Sequence, residues 1–355
     1  MRKLVMEKTA LKHNLAVIKE HAGEAAVYGV LSGNGGGAGT VAMARLLRDE
    51  GIGRFAVSES SEAEALRKAG FEDEEILMLR ATTDRDELER LVDLNVVCTI
   101  SSVDTGLALN ALAENRATVA EAHIQVDTGM GYGGFLVGEP EKILLAYRSL
   151  PNVALSGIYT QLHAAKKKDP ETAHQLKLFR QVIETVHQAG FETGTVHAAG
   201  SFALLHDREA VFDGVRAGTA MLGRCRRTRD DRLKTVGYGE APLAEVRWLP
   251  KGHTVGRDKP MILKKPTRVA ELPVGYQNGY GIVRPQETGP WAALRLYRRN
   301  RTRTVRIGDQ RARLLGHIGA TETLLDVTDL KCSAGDIARF EMDPLYAQGF
   351  QIEFR

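Results

Sequence analysis

No apolar run in this 355-residue chain approaches the length that spans a bilayer, and no charged-then-apolar leader opens it. A membrane span and a secretory signal are therefore not expected. Net charge is scarce as well. The 48 Lys and Arg residues against 45 Asp and Glu leave +3, too little to suggest nucleic acid as a partner. Basic residues do gather in two runs, 224–232 and 295–306, which read as solvated surface. Cysteine is limited to Cys98, Cys225 and Cys332, an odd number without metal-type spacing. No metal site is expected, and a reducing cytoplasm suits such cysteine usage. The remainder is ordinary for a soluble globular protein: 43% of residues are hydrophobic and 26% charged. The length has room for two domains, or for one large barrel with an extension.

The stretch from Ala26 to Gly39 organises the rest. An apolar run, Ala26-Val27-Tyr28-Gly29-Val30-Leu31, ends in Ser32-Gly33-Asn34-Gly35-Gly36-Gly37, and an amphipathic helix over 40–49 follows. Strand, glycine loop and helix together expose a site at the carboxyl end of a strand, here at Ser32. Residues 3–7 read as a strand, followed by a helix with Thr9 as N-cap. Strands are then expected at 54–58, 75–79, 96–101, 122–127, 154–160, 195–198 and 210–222. Helices are expected at 61–69, 85–93, 103–114, 140–148, 171–189 and 202–205. About eight strand–helix units of this kind make a parallel (β/α)8 barrel, placed at 10–229. Beyond residue 224 helical periodicity disappears. Short alternating segments take over at 244–248, 267–272, 292–297, 304–307, 312–318, 324–327 and 337–341. This is a mostly β second domain, 230–355, to which residues 1–9 add a strand.

Several motifs resemble those of the alanine racemases, the fold-type III pyridoxal phosphate enzymes. The Ser32–Gly39 stretch stands where that family reads Val-x-Lys-x-Asn-x-Tyr-Gly-x-Gly, with Ser32 at the lysine and Gly36 at the tyrosine. His123-Ile124-Gln125-Val126-Asp127-Thr128-Gly129-Met130-Gly131-Tyr132 resembles His-x-Lys-x-Asp-Thr-Gly-Met-x-Arg, with Gln125 at the lysine and Tyr132 at the arginine. Gly157-Ile158-Tyr159-Thr160-Gln161-Leu162-His163 resembles Gly-x-x-Thr-His-Phe, with Gln161 at the histidine and a new His163 two positions on. His197-Ala198-Ala199-Gly200-Ser201 resembles His-x-Ala-Asn-Ser, with Gly200 at the asparagine. Arg216-Ala217-Gly218 resembles Arg-Pro-Gly, and Gly275-Tyr276-Gln277-Asn278-Gly279 resembles Gly-Tyr-x-Asp-Gly. His317 and Ala320 stand at the arginine and methionine of Gly-Arg-x-x-Met-Asp, and Phe354 stands at a phosphate-binding tyrosine.

The resemblance implies roles. Arg216 would be the pyridine-nitrogen partner, with His197 bonded to it. Ser201 and the neighbouring backbone at Gly218 would hold the phosphate. Tyr276 would be a catalytic acid–base completing the site of a second subunit in a homodimer. The altered positions are those whose side chains would touch the cofactor or its substrate, whereas the glycines, Asp127-Thr128-Gly129-Met130, Arg216 and Gly275-Tyr276 persist. The pattern reads as a cavity emptied and relined, as in a redesigned racemase scaffold or, second, a natural paralogue with a new ligand. Ser32 supplies no amine for the cofactor. Each lost charge-assisted phosphate contact costs about 1.5–3 kcal/mol. On these grounds no cofactor is expected, pyridoxal phosphate being predicted not to bind covalently, and racemase activity is expected to be lost. A small-molecule pocket remains, lined by Gly36, Gln125, Tyr132, Gln161, Gly200, His317, Ala320 and Phe354. The alternatives are an ester hydrolase using Cys225 or Ser32 with His163 or His197 as base, or a residual pyridoxal phosphate-dependent racemase.

Overall fold

Parallel strands buried on both faces need short, continuous apolar runs, and the first two thirds of the chain supplies them between amphipathic helices. The computed structural model describes residues 1–163, 169–225, 232–256, 260–282, 294 and 303–355. They form two units, Thr9–Thr235 on the one hand and Met1–Lys8 with Val236–Arg355 on the other.

In chain order β1 (Lys3–Met6) belongs to the second unit. The first unit holds β2 (Ala26–Val30), β3 (Arg54–Val57), β4 (Glu75–Met78), β5 (Cys98–Ile100) and β6 (Ala120–Asp127). After β7 (Phe135–Leu136), a short addition beside β6, come β8 (Val153–Thr160), β9 (Thr195–Gly200) and β10 (Gly214–Ala217). They pair side by side in the order β4-β3-β2-β10-β9-β8-β6-β5. A parallel bridge between Leu77 and Val97 closes the ring at its seam. This is the (β/α)8-type barrel that the alternation predicts. Local chemistry starts its helices: Asp84 accepts the amide of Glu87, Ser102 accepts that of Thr105, and Asp169 accepts that of Glu171. Pro140 and Pro170 open two of them, where a missing N–H does no harm.

The second unit is a nine-stranded, mostly antiparallel sheet. Its strands are β11 (Tyr238–Pro242), β12 (Glu245–Leu249), β15 (Thr267–Leu272), β16 (Thr304–Ile307), β17 (Gln310–Leu314), β18 (Thr323–Asp326), β19 (Ile337–Glu341) and β20 (Gln351–Phe354), with β1. Between β12 and β15, β13 (Thr254–Val255) and β14 (Met261–Ile262) form a separate ribbon. The sheet order is β12-β15-β18-β17-β16-β19-β11-β1-β20. β1 is thus sandwiched, antiparallel to β11 and parallel to β20. Leu249, Val255, Leu263, Val269 and Leu315 form one of its apolar clusters.

Several expectations need correction. The strand expected at 210–222 is only Gly214–Ala217, because the amides of Gly218 and Ala220 turn to Ser201 Oγ instead of a neighbouring strand. The first helix begins at Lys8, so Thr9 lies inside it and is not the cap. The segment at 312–318 is shifted to Gln310–Leu314. The ribbon strands, β11 and β20 were not anticipated, being short or close to the terminus. The expected strand at 292–297, and much of both basic runs, lies outside the described residues.

Candidate active site at the barrel mouth

The glycine loop after β2 takes an unusual shape. Gly33, Asn34, Gly35 and Gly36 all have positive φ, between 57° and 72°, so the backbone makes a left-handed turn. L-residues avoid this conformation, and three glycines and one asparagine are the residues that tolerate it. The turn closes on itself through Gly35 N to Leu31 O and Gly37 N to Gly33 O, and Glu62 Oε1 accepts Asn34 N. A side chain at Gly36 would meet Leu222, its Cβ 2.9 Å from Cδ1. Ser32, just before the turn, has its Oγ 2.7 Å from Ser58 Oγ at the end of β3.

Below this rim the barrel interior is polar. Arg216 on β10 is 4% exposed. Its Nη1 donates to His197 Nδ1 at 2.6 Å and His197 O at 3.2 Å. Its Nη2 donates to Thr160 O at 2.7 Å, Gln161 Oε1 at 3.1 Å and Ala198 O at 3.3 Å. Nε has no partner among the described residues. His197 Nε2 in turn lies 2.9 Å from His123 Nδ1. A guanidinium only donates, so His197 Nδ1 is an acceptor, its Nε2 carries the proton, and His123 Nδ1 accepts it. The His197 ring is stacked between Tyr28 and Tyr159, at centroid distances of 5.2 and 4.9 Å. Tyr28 Oη donates to Glu75 Oε1 at 2.6 Å, and Glu75 pairs with Arg54.

Burial sets the charges of this column. Desolvation, helped by the positive charges of Arg216 and Arg54, lowers the His123 pKa to about 3 and pushes His197 well below the usual imidazole range. Both are neutral at pH 7. Desolvation also lowers Arg216, but only to about 10, so it stays charged. The His123 ring fits because Gly157 on β8 has no side chain: a Cβ there would lie 2.5 Å from Nε2. A register shift in the β6–β8 ladder between Ala122 and His123 lies beside it.

The structure thus joins Arg216, His197 and Gln161 in one network, with Ser201 and Gly218 beside it. Ser201 Oγ accepts Gly218 N at 2.9 Å and Ala220 N at 3.1 Å. Gly200 leaves room in front of Gln161, whose Nε2 would be 3.9 Å from a Cβ at that glycine. Gln125 is buried and directed to its own loop, with Nε2 3.4 Å from Tyr132 O and 3.2 Å from Gly133 O, while the Tyr132 side chain is 79% exposed. The His163 backbone amide is held by the buried Gln175.

Other expected partners are not brought together. Among the described residues the Ser32 hydroxyl meets Ser58 and no histidine, and His197 uses both ring nitrogens on Arg216 and His123. The half-buried Cys225 has its Sγ 3.2 Å from Thr219 Oγ1. Among the described residues, therefore, neither Ser32 nor His197 belongs to a nucleophile–histidine pair. In the second unit, Tyr276 N donates to Gly319 O and Gln277 N to Ala320 O, so the Gly-Tyr motif and the loop holding Ala320 form one corner. Tyr276 is 48% exposed there, His317 is exposed, and Phe354 lies in β20 opposite Met6.

Sequence reasoning missed His123, Tyr28, Tyr159 and Gln175. A signal was present for the first: His123, Gln125 and Asp127 alternate along an otherwise apolar parallel strand, and that period places them on one face.

The chain matches the family models for the alanine racemase N-terminal domain over residues 6–225 and C-terminal domain over 236–342. The alanine racemase of Carboxydothermus hydrogenoformans is 32% identical over 276 residues, 76% of this chain and 74% of that protein. That of Clostridium novyi is 28% identical over 333 residues, 92% of this chain and 81% of that protein. Among solved structures, alanine racemase from the D-cycloserine producer Streptomyces lavendulae superposes with a TM-score of 0.86 at 21% identity, covering 100% of this chain and 97% of that one. The Bartonella henselae alanine racemase superposes at 0.83 with 20% identity, covering 100% and 99%, and that structure holds covalently bound pyridoxal phosphate. The expectation of a protein without cofactor is overturned by these relatives. The barrel agrees with the correction: the unengaged Nε of Arg216 and the Ser201–Gly218–Ala220 cluster suit a pyridine nitrogen and a phosphate. Matched by both domain models along nearly its whole length, the chain belongs to the alanine racemase family.

Proposed function

We propose that the barrel mouth is a pyridoxal phosphate pocket, relined around the reactive end of the cofactor, that takes a small amino-acid-like molecule and has lost alanine racemisation. The observation that carries the cofactor half is Arg216, charged, buried and fixed by five contacts that leave Nε unengaged. Nε would donate to the ring nitrogen, and Arg216, which keeps its own proton at neutral pH, would not pass it on. The Ser201 hydroxyl, whose oxygen accepts the amides of Gly218 and Ala220, would donate its own proton to the phosphate. When bound, the cofactor supplies an electron sink for proton removal beside an amine. Racemisation also needs a group that takes the proton on one face and a group that returns it on the other. Ser32 stands where the first is needed, and a hydroxyl bonded to Ser58 is no base at neutral pH. Tyr132 supplies no positive charge for a carboxylate.

The test mixes the chain and Ser32→Lys with pyridoxal phosphate, records near-ultraviolet and visible spectra, and follows L- to D-alanine by circular dichroism. Saturable binding with negligible alanine turnover by both proteins is expected. Robust turnover by the unmodified chain refutes the loss of racemisation, and failure to bind refutes the pocket.

We also propose a homodimer in which Tyr276 completes the neighbour's site. The support is its half-exposed ring on an ordered corner and its family role. Sedimentation at micromolar concentration should give twice the 38.9 kDa chain mass, and the monomer mass would refute it. Among the described residues no helix is long and apolar enough to cross a membrane.

A further inference from the structure

The second basic run ends in Arg306, and the sheet of the second unit gives that residue unusual neighbours. On β16, Arg306 is directly opposite Arg311 of β17 and directly opposite Arg339 of β19. Residues opposite each other share a face of the sheet, so three guanidinium groups stand side by side across three adjacent strands. Neighbouring strands are only about 4.8 Å apart, and like charges directly opposite destabilise a ladder. The row continues as Glu240 on β11 and Lys3 on β1.

Compensation reaches only one end of the row. Glu240 is almost buried, and its carboxylate is taken by Arg339 at 3.0 Å and Arg355 at 2.8 Å. Arg339 is further fixed by lying 4.4 Å over the Tyr238 ring. Among the described residues Arg306 pairs with the fully exposed Asp309 alone, at 3.6 Å. Arg311 has no anionic partner among the described residues. Two open cavities share Arg306 and Arg339: one of about 800 Å³ where Lys331 and Arg355 stand with Glu240, Asp309 and Asp336, and one of about 570 Å³ where Arg303 and Arg311 stand with Glu7 and Glu341. Each cavity keeps an excess of cationic side chains once Arg306 and Arg339 are counted.

We propose that this face of the second unit is a binding site for a small oligophosphate, a molecule carrying two or three linked phosphate groups. Arginine forks match phosphate oxygens in pairs. A row of three along one line asks for several charges on one ligand, and cavities of this size take a small molecule. The repulsion that the free row suffers is relieved when such a ligand bridges it. The site is separate from the cofactor pocket and does not depend on it.

The experiment measures the melting temperature and the calorimetric affinity of the full chain with sodium tripolyphosphate, beside sodium chloride of equal ionic strength. Arg306→Gln and Arg311→Gln are measured in parallel. Tripolyphosphate should raise the melting temperature by more than the chloride control, and each variant should bind at least tenfold more weakly. Without ligand both variants should melt at the same temperature as the parent or higher, since each removes a like charge. A shift that chloride reproduces, variants that keep the parent affinity, or lower ligand-free melting in both variants would overturn the proposal. So would a single-stranded oligonucleotide that binds where tripolyphosphate does not.

Discussion

Acidification from pH 7.5 to pH 5 should lower the unfolding free energy of this protein by about 4 kcal/mol, before most carboxylates titrate. His123 and His197 are the cause. Both are buried and neutral, and both have pKa values depressed by desolvation and by Arg216. In the unfolded chain they regain an ordinary value near 6.5, so below that pH the unfolded state binds more protons than the folded one. The stability associated with them is complete above about pH 6.5 and is lost as pH falls toward the folded value, about 3 for His123. Each histidine contributes about 2 kcal/mol between pH 7.5 and 5 by this linkage. Urea unfolding at pH 7.5, 6 and 5 measures it. His123→Gln keeps an acceptor for His197 Nε2 while deleting one titrating group, and should roughly halve the pH slope. Stability that is flat between pH 7.5 and 5 would refute the neutral pair.

Gly157→Ala is expected to cost about 3 kcal/mol, at the upper end for an overpacked core. The new Cβ would lie 2.5–2.6 Å from three atoms of the His123 ring. The ring has little room to move, since Nδ1 is held by His197 and the residue is 1% exposed. Displacing it removes the acceptor for His197 Nε2 and loosens the support of Arg216. Denaturant unfolding of the single variant and of Gly157→Ala combined with His123→Ala checks the cause. The double variant should be more stable than Gly157→Ala alone, because the clash disappears with the ring. If the two substitutions add, the clash is not the mechanism.

The barrel was legible because its signal is local. The helix at 40–49 and the helix at 85–93 could be bounded from their own sequence, and they end where expected. Strands such as β11 and β20 carry no such signal: each exists because partners far away in the chain pair with it. The site divided in the same way. Arg216, His197 and Ser201 were legible through motif resemblance, and the structure joins two of them directly and the third through Gly218, next in chain but one to Arg216. His123 was signalled only by its alternation with Gln125 and Asp127, and Tyr28 was hidden because a tyrosine inside an apolar strand looks like any core residue until the barrel closes around it. The cofactor expectation erred by giving the side chains that differ more weight than Arg216 and the Ser201 hydroxyl, which were already in the sequence.

The position of β1 has a consequence for how the protein is made. Lys3–Met6 is translated before both of its partners, the antiparallel Tyr238–Pro242 following more than two hundred residues later and the parallel Gln351–Phe354 more than three hundred. Throughout synthesis of the barrel this strand has two unsatisfied edges and a largely apolar sequence, Leu4-Val5-Met6, the combination that recruits wrong partners. The barrel residues Thr9–Thr235 can complete their contacts during elongation, whereas the second unit is complete only after Gln351–Phe354 has been made. Biogenesis of these two units is therefore nested: the inserted barrel has all of its residues first, and the unit that brackets it in sequence is finished after it.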